Sequence, residues 1–375
     1  MARNIDADQI GYGERIKIRP LFARFHGFLV VALLHLSFSS TAADVVAPLG
    51  LPDVPSQFRS VNQGRAALGR ELFFDRRLSA DGTISCTSCH RPEHNLTDRR
   101  ALAVGIGGQV GTRNAPSLYN VAFATSLFWD GRSTDLESQA VLPLLNAREH
   151  GLASEKAVLA ILDSDRRYRK EFARVFGQPH VSIDAVAAAL AAYERTLLAG
   201  DSPFDRYVYG GDPRAMSPAA IRGLSFFRGR AGCATCHTID KTSALLTDQE
   251  FHSSPKGLPE SVNSALVELT GRVIQVQEPN ALNSMVVGDS DIASLGRYVV
   301  TRNPKDIGLF KTPSLRNVTT TGPYLHDGSV ESLQEVVELE LYSRGDAVRS
   351  PIVATVEERA DLVEFLTALS SSWTN

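Results

Sequence analysis

Two short stretches of this sequence carry residue types that could do chemistry. Cys86–His90 and Cys233–His237 both have the order Cys-x-x-Cys-His, and together they contain all four cysteines of the chain. Two thiols at this spacing lie on one turn and can add to the two vinyl groups of a haem, and the adjacent histidine can then ligate the iron. The pattern predicts two covalently bound c-type haems. The residues predicted to hold them are Cys86, Cys89, His90, Cys233, Cys236 and His237.

A structural zinc site is the alternative interpretation of paired cysteines, because two Cys-x-x-Cys units can supply four thiolates. It is less favoured here, since a histidine follows each pair at once and the pairs lie in separate halves of the chain. A haem whose iron is ligated on both sides only carries electrons, whereas catalysis needs an open position for peroxide or oxygen. The sequence therefore has to be searched for a haem with one open face.

Length and composition set the broad class of protein. A chain of 375 residues is long enough for two domains with their own cores. Its hydrophobic content of 43% and charged content of 22% are ordinary for a soluble globular protein. The formal net charge of -3 points to neither a polyanion nor a membrane surface, so we expect no nucleic-acid partner.

Residues 1–43 have the features of an export signal. Basic residues from Arg15 to Arg24 precede an apolar stretch, Phe25–Phe38, and small residues follow at Ser39–Ala43. This order predicts cleavage before Asp44 and a periplasmic protein. An uncleaved anchor is the alternative, but the stretch is shorter than the roughly 20 residues that a spanning helix needs. We expect no other membrane segment.

The elements that must position the two motifs are mostly helices. Ile183–Leu198 has an apolar stripe at helical spacing behind Ser182, a candidate N-cap. Pro218 follows Ser217 at a position typical of a first helical residue. Ser332–Glu335 and Thr355–Glu358 both match the capping box, which predicts that each starts a helix.

The fold class predicted from these signals is mainly α, with two c-type cytochrome domains that each surround one covalently bound haem. Strand-like alternation is scarce. The domains are predicted at 44–200 and 201–375, joined around Gly200–Pro203. In the final helix, one side is predicted to carry Val356, Leu362, Val363, Leu366 and Leu369.

Further motifs follow one another in a fixed order along the chain. They are Leu68–Asp75, Leu78–Ser85, Arg113–Ser117, Phe128–Arg132, Pro313–Asn317 and Pro323–Gly328. As a set these motifs are specific, although any one alone would not be, and they resemble the bacterial diheme cytochrome c peroxidase and MauG family. The resemblance covers nearly everything from about Pro48 to the C-terminus and is weakest between Lys241 and Ser294.

The resemblance implies that peroxide reacts at the N-terminal haem, and that three residues carry the chemistry there. Glu149 would move a proton between the two peroxide oxygens, because burial can raise the pKa of a carboxyl toward the working pH. Gln139 would hold peroxide by hydrogen bonding without titrating. Trp129 would be an oxidisable bridge between the haems. Taken singly, these residue types are more often a core aromatic and solvated polar side chains.

Two departures from the family pattern concern the axial ligands. Many relatives have a histidine that caps the N-terminal iron at the position of Ile106, which cannot ligate iron. We therefore expect an N-terminal haem that is open in the oxidised resting state. Ordinary peroxidase members have a methionine as second ligand of the C-terminal haem, where this chain has Glu340; none of its three methionines lies downstream of His326.

MauG-type members use a tyrosine for this second ligand. Tyr342 resembles it if two residues are inserted, and it is favoured over Glu340. His252, His326 and water stay open as alternatives. The family also implies one calcium ion, held by the side chain of Asn114 and the carbonyls of Thr321 and Pro323; oxygen-only ligands suit a hard cation.

Three functions remain in view. The first is a periplasmic diheme peroxidase that reduces hydrogen peroxide at the haem on His90, with electrons relayed from a small redox protein, a cytochrome c or cupredoxin, through the haem on His237. The second is a MauG-like enzyme that oxidises residues of a partner protein through a high-valent state of the two haems. The third is a non-catalytic electron-transfer cytochrome with both irons fully ligated, against which Gln139 and Glu149 argue.

Overall fold

The computed structural model describes residues 42–343 and 351–371, and this part of the chain is mainly helical. Of the predicted signal segment, residues 1–41 lie outside the described residues. The strands form two antiparallel two-stranded sheets: β1 Ala42–Asp44 with β2 Ser60–Asn62, and β3 Phe251–Ser253 with β4 Leu309–Lys311. The helices are α1 Ser56–Arg59, α2 Gln63–Phe74, α3 Leu136–Leu145, α4 Glu155–Ser164, α5 Arg166–Phe176, α6 Ile183–Glu194, α7 Pro203–Val208, α8 Pro218–Arg228, α9 Glu260–Ser264, α10 Leu266–Gln275, α11 Pro279–Gly288, α12 Ser290–Ser294, α13 Tyr298–Thr301, α14 Leu333–Ser343 and α15 Val356–Thr367.

Local capping determines where the predicted helices begin. The hydroxyl of Ser182 accepts the amide of Ala185 at 3.2 Å at the start of α6. Ser217 does the same for α8, with proline in the first position. Ser332 accepts the amide of Glu335 at 3.1 Å at the start of α14. At α15 both arms of the capping box form, with Thr355 and Glu358 exchanging bonds of 2.8 and 3.1 Å. These four predicted starts are confirmed.

Tertiary contacts change two details of the predicted helices. Helix α6 ends at Glu194 instead of Leu198, because the carbonyl of Leu197 accepts the amide of Asn120 at 2.8 Å and the chain leaves the helical path. In α15 the buried face carries Phe365 beside Leu362 and Leu366, whereas Val356 is 75% exposed on another side of the helix. The predicted position of Val356 on the apolar face was wrong.

The two largest clusters of buried side chains repeat one design. In the first, α2 crosses α6 so closely that a Cβ atom at Gly69 would overlap the carbonyl oxygen of Ala189. In the second, α8 crosses α15, and a Cβ atom at Gly223 would overlap the carbonyl oxygen of Asp361. Aromatic rings pack beside both crossings, Phe73 on Tyr193 at 5.2 Å and Phe227 on Phe365 at 4.9 Å. In each half, the first helix of the crossing precedes the Cys-x-x-Cys-His motif in sequence: α2 ends at Phe74 and α8 at Arg228. The crossing therefore fixes the chain that leads into the motif.

A third cluster of buried side chains comes from α9 to α13, the region where the family resemblance is weakest. It packs on loops of the first half: Thr112 donates to the carbonyl of Val286 at 2.7 Å, and Arg132 donates to the Asn283 side chain at 3.0 Å. Arg297 donates to the carbonyls of Asp130 and Gly131, both at 3.0 Å. This region therefore stabilises the loop that carries Trp129 through these hydrogen bonds.

The two main clusters divide near the predicted junction. Leu197 and Ala199 belong to the first and Phe204 to the second. Ser202 caps α7 through a capping box with Asp205. The division into domains 44–200 and 201–375 stays a prediction. None of the helices in the described part of the chain is long and apolar enough to cross a bilayer.

Replacing Gly69 with alanine should destabilise the protein, because the added methyl group meets backbone that cannot move independently of α6. We expect a loss of about 1–3 kcal/mol, the usual cost of overpacking. The matched control is Gly271→Ala in α10, where a Cβ atom meets nothing within 4 Å. That change should be neutral or stabilising by up to about 1 kcal/mol, through helix propensity. Urea unfolding of the two holoproteins measures both, and equal stability would contradict the crossing geometry.

Candidate haem and peroxide site

The two Cys-x-x-Cys-His motifs have the same local structure. Each begins with a short 3₁₀ turn, Cys86–Ser88 in the first and Cys233–Thr235 in the second. In both, the histidine amide donates to the carbonyl of the first cysteine at 2.9 Å. Both cysteines thus lie on one turn with the histidine directly after it, as covalent haem attachment requires.

Backbone carbonyls orient the two motif histidines. His90 Nδ1 lies 3.0 Å from the carbonyl oxygen of Leu96, and His237 Nδ1 lies 2.9 Å from that of Leu246. A carbonyl only accepts, so Nδ1 carries the proton and Nε2 is the atom able to ligate a metal. Burial lowers the pKa of His90, which keeps the ring in its neutral, ligating form.

A repeated loop motif positions these carbonyls. Ser117 donates to the carbonyl of Asn95 at 2.8 Å, and Ser314 donates to the carbonyl of Leu245 at 2.7 Å. In each case the residue that follows is the leucine whose carbonyl holds the motif histidine. The two serines occupy matching positions in Pro116–Val121 and Pro313–Val318. The sequence analysis missed this repeat, although the shared Pro-Ser-Leu-x-Asn-Val pattern is visible in the printed sequence.

A cavity of about 350 Å³ adjoins the first motif. Its walls include Cys86, Cys89 and His90, and also the three residues predicted for peroxide chemistry, Trp129, Gln139 and Glu149. The structure therefore brings the first motif and the predicted peroxide residues together around one space. Loops of the second half, including Leu245 and Lys311–Ser314, line the same cavity.

The donor groups of this cavity suit a haem. Two thiols and one imidazole lie on one turn, and buried cations line the same walls. Arg113 has two buried guanidinium nitrogens, Nε and Nη1, without a hydrogen-bond partner in the described part of the chain, and burial lowers its pKa to about 10. Burial also lowers the pKa of Lys311 to about 8. A cofactor that carries two carboxylates can compensate such charges, so these residues fit a haem.

Trp129 is half-buried and held from two sides. Its indole nitrogen donates to the carbonyl of Asn114 at 3.0 Å, and its own carbonyl accepts the amide of Lys311 at 2.8 Å. The second bond comes from the other half of the chain. Trp129 is thus anchored where loops of the two halves meet; its role as a bridge between the haems stays a prediction.

Gln139 and Glu149 reach the cavity from α3 and from the loop after it. Asp135 caps α3 by accepting the amide of Ser138 at 2.7 Å, which places Gln139 in the second turn. Burial raises the pKa of the Glu149 carboxyl, and the charge of Arg132 partly opposes this shift. The carboxyl therefore titrates closer to neutral pH than an exposed glutamate, as a proton carrier should.

The loop that carries Ile106 packs against the segment of Glu149. The amide of Ile106 donates to the carbonyl of Glu149 at 2.9 Å. Gly105 is needed here, because a Cβ atom would lie 2.7 Å from the Cα of Glu149. A Cβ atom at Gly151 would lie 3.0 Å from the Ile106 side chain, so this side chain is directed toward Gly151.

Two buried polar residues of the cavity were missed by the sequence analysis. His150 is 4% exposed and its Nδ1 lies 2.6 Å from the carbonyl oxygen of Leu78. Glu194, the last residue of α6, is 5% exposed. Both line the cavity. Neither belongs to a motif, and only the packing of α6 and the Glu149 loop reveals them.

The candidate ligands of the C-terminal haem lie in varied surroundings. On α14, Tyr342 is 73% exposed and Glu340 is also exposed. His252 is bonded to Asp248 at 2.8 Å, and both ligand atoms lie within 4.8 Å of Cys236 Sγ. His326 stacks on Phe310 with ring centres 3.7 Å apart. The second ligand of this haem stays a prediction.

The residues predicted to bind calcium all belong to the cavity wall. Asn114, Thr321 and Pro323 all line it. The amide nitrogen of the buried Asn114 side chain donates to the carbonyl of Arg100 at 2.9 Å, which leaves its oxygen as the ligand atom. Side-chain and backbone oxygens are a donor set that suits calcium. The ion itself stays a prediction.

Comparisons with known proteins show the family to which this chain belongs. Residues 63–213 match the family model of di-haem cytochrome c peroxidase. Cytochrome-c peroxidase IdrP1 of Denitromonas iodatirespirans is 38% identical over 358 residues, which cover 91% of this chain and 92% of that protein. Methylamine utilization protein MauG of Methylorubrum extorquens is 34% identical, over 82% of this chain and 78% of that one.

A solved structure extends the likeness to the fold. The crystal structure of a MauG-like protein associated with microbial copper homeostasis aligns with a TM-score of 0.67 at 31% identity, over 87% of this chain and 93% of that one. The diheme peroxidase BthA of Burkholderia thailandensis shares the fold at a TM-score of 0.64. The chain therefore belongs to the di-haem cytochrome c peroxidase family and is a peroxidase-type oxidoreductase.

Removing either pair of thiols should remove one haem. We expect two covalent haems per chain in the wild type, and one in each of the double variants Cys86→Ser/Cys89→Ser and Cys233→Ser/Cys236→Ser, because each turn holds its own cofactor. The pyridine haemochrome spectrum of denatured protein counts them. Zinc in the wild type, or a haem count unaffected by either double variant, would contradict the assignment.

Proposed function

We propose that this chain is a periplasmic diheme enzyme that reduces hydrogen peroxide at the N-terminal haem, on His90. The electrons come from a small redox protein, a cytochrome c or cupredoxin, and pass through the C-terminal haem on His237. The observation that carries the proposal is the meeting of Gln139 and Glu149 with the first motif around one cavity. A haem bound there supplies iron that accepts peroxide and exchanges electrons.

The protein groups divide the remaining work. The Glu149 carboxylate takes the proton from the near peroxide oxygen and returns it to the leaving oxygen. The Gln139 amide holds the substrate by hydrogen bonding and stays uncharged at every pH. The packing of the Ile106 side chain toward Gly151 supports an open peroxide position, since this loop then supplies no ligand.

Trp129 is the electron bridge in this proposal. Its bonds to Asn114 and Lys311 hold the indole between loops of the two halves. Calcium bound by the oxygen of Asn114 would fix the same residue whose carbonyl holds the indole. One calcium ion is therefore part of the proposal, as a structural support for Trp129.

A second candidate is a MauG-like enzyme that oxidises residues of a partner protein. It is favoured by the absence of methionine after His326, since an oxygen ligand such as Tyr342 lowers the potential and opposes easy acceptance of electrons from a soluble cytochrome. Peroxide-dependent oxidation of a reduced small cytochrome over many turnovers would support the first candidate. Consumption of peroxide only beside a protein whose side chains become oxidised would support the second.

Replacing Glu149 with glutamine should slow the reaction with peroxide by about 100-fold to 10,000-fold, the usual contribution of a positioned acid–base group. The reactive form is the carboxylate, so the wild-type rate should rise with pH through the raised pKa of Glu149. The variant should lose this limb of the profile. Stopped-flow mixing across a pH series measures both effects.

The matched control for this variant is Glu155→Gln, at an exposed glutamate in the first turn of α4. It should leave the rate and the profile unchanged. An unchanged profile in Glu149→Gln would remove the proposed role of Glu149.

A further inference from the structure

A second carboxyl group, besides Glu149, lies in the wall of the haem cavity. Glu194 ends α6, is 95% removed from solvent and lines the cavity beside the first motif. Its Oε2 atom is buried and has no hydrogen-bond partner in the described part of the chain. An unpartnered buried carboxyl is costly, so its retention calls for a function or for a partner that the protein alone does not supply.

The neighbouring cation is engaged elsewhere. Arg195 follows Glu194 directly, but its two terminal nitrogens donate to the two oxygens of Glu137 on α3 at 2.6 and 2.7 Å. This two-bond geometry is the strongest kind of arginine–carboxylate pair. Among the described residues, Glu194 thus has no bonded counter-ion, although an arginine is adjacent in sequence.

The titratable and charged groups around Glu194 come from four places. Arg195 follows it on the chain and Glu137 faces it from α3. The charge of Glu194 contributes to the raised pKa values of Cys86 in the first motif and of Tyr193 on α6. The charge of Arg70 on α2 partly opposes the shift in the pKa of Tyr193. Glu194 is the carboxyl of this group that lies on the cavity wall.

The balance of these effects brings the titration of Glu194 into the weakly alkaline range, where both its ionised and its protonated forms are accessible. Burial raises the pKa of this carboxyl to about 8; the charge of Arg195 opposes the shift and that of Glu137 adds to it. A group with such a pKa changes its proton occupancy when a nearby charge changes by one unit. The charge of Glu194 acts on Cys86, the residue that attaches the haem in the proposed function, so Glu194 lies near the site of that haem.

We propose that Glu194 is a redox-linked proton site of the haem on His90. When a small redox protein adds one electron to this haem, the Glu194 carboxylate takes up one proton from solvent, and the net charge of the cavity is unchanged. When the electron leaves, the proton leaves with it. The inference rests on the proposed attachment of a haem to Cys86 and Cys89. It gives Glu194 a task separate from that of Glu149, which handles the protons of the substrate.

The test is a potentiometric titration of the holoprotein at a series of pH values, followed by its haem absorption. In the wild type, one of the two midpoints should fall as pH rises, by up to about 59 mV for each tenfold change in proton concentration. In Glu194→Gln, which keeps the size of the side chain, this midpoint should become nearly independent of pH over the same range. The matched control Glu71→Gln, at a partly exposed carboxylate paired with Arg167, should behave as the wild type.

A third variant should shift the pH dependence of the midpoint potential without removing it. Glu137→Gln deletes the charge that raises the pKa of Glu194 and releases Arg195 from its pair, so both effects favour the carboxylate. The pH at which the slope begins should therefore move to lower values. The infrared difference spectrum between oxidised and reduced wild type gives an independent readout, because a protonated carboxyl band should appear on reduction and be missing in Glu194→Gln.

Two results would overturn the proposal. One is a pH slope that persists in Glu194→Gln. The other is a wild-type midpoint that does not change with pH. A slope that persists in Glu194→Gln and is lost in Glu149→Gln would assign the proton to the peroxide pocket. The experiment uses no peroxide, so it is independent of the enzymatic activity. A count of covalent haems before the titration shows whether the attachment at Cys86 and Cys89 holds.

Discussion

The hydrogen bond between the Nδ1 of each motif histidine and a leucine carbonyl is the contact on which the rest of the site depends. At 3.0 Å for His90 and 2.9 Å for His237, these bonds decide which ring nitrogen is left to ligate iron. Both carbonyls belong to residues with positive φ, Leu96 at 60° and Leu246 at 56°. Such a conformation is strained for leucine and persists only where the surroundings hold it. Ser117 and Ser314 of the two Pro-Ser-Leu motifs stabilise this conformation, because each donates a hydrogen bond to the carbonyl of the residue before the leucine. These bonds connect each Cys-x-x-Cys-His turn to a loop that lines the cavity.

Burial decides the chemistry of the cavity. Asp130 is fully buried and has Arg132 at 3.0 Å and Arg113 at 3.7 Å. Both arginines and Lys311 line the cavity. One carboxylate among these cations leaves an excess of positive charge, which a haem with two carboxylates would compensate. Burial raises the pKa values of Glu149 and Glu194, which favours the neutral, protonated form of both carboxyl groups. The cavity thus combines fixed positive charge with two carboxyl groups that can exchange protons.

The parts of the fold that depend on neighbouring residues could be predicted from the sequence. The caps at Ser182, Ser217 and Thr355 are such parts, and so is the single turn of each Cys-x-x-Cys-His motif. The end of α6 could not be predicted, because a bond from Asn120, distant in sequence, draws the chain off its helical path.

For the candidate site, Gln139 and Glu149 could be predicted as peroxide-pocket residues only through the family resemblance. Glu194 escaped notice because Arg195, its neighbour in sequence, pairs with Glu137 on another helix, and this pairing is not visible in the sequence. The contacts of α9 to α13 with the Trp129 loop were also beyond prediction. They join segments whose sequence carries few family motifs, and each contact depends on the packed fold.

The central claim is that peroxide reacts directly with the oxidised protein at the haem on His90, with no ligand to displace. The most direct test is an optical titration of the purified, fully oxidised holoprotein with one equivalent of hydrogen peroxide. The account predicts an immediate change of the haem spectrum without prior reduction. No change until one haem has been reduced would contradict it, and would show that the interpretations of Ile106 and of the missing methionine are wrong.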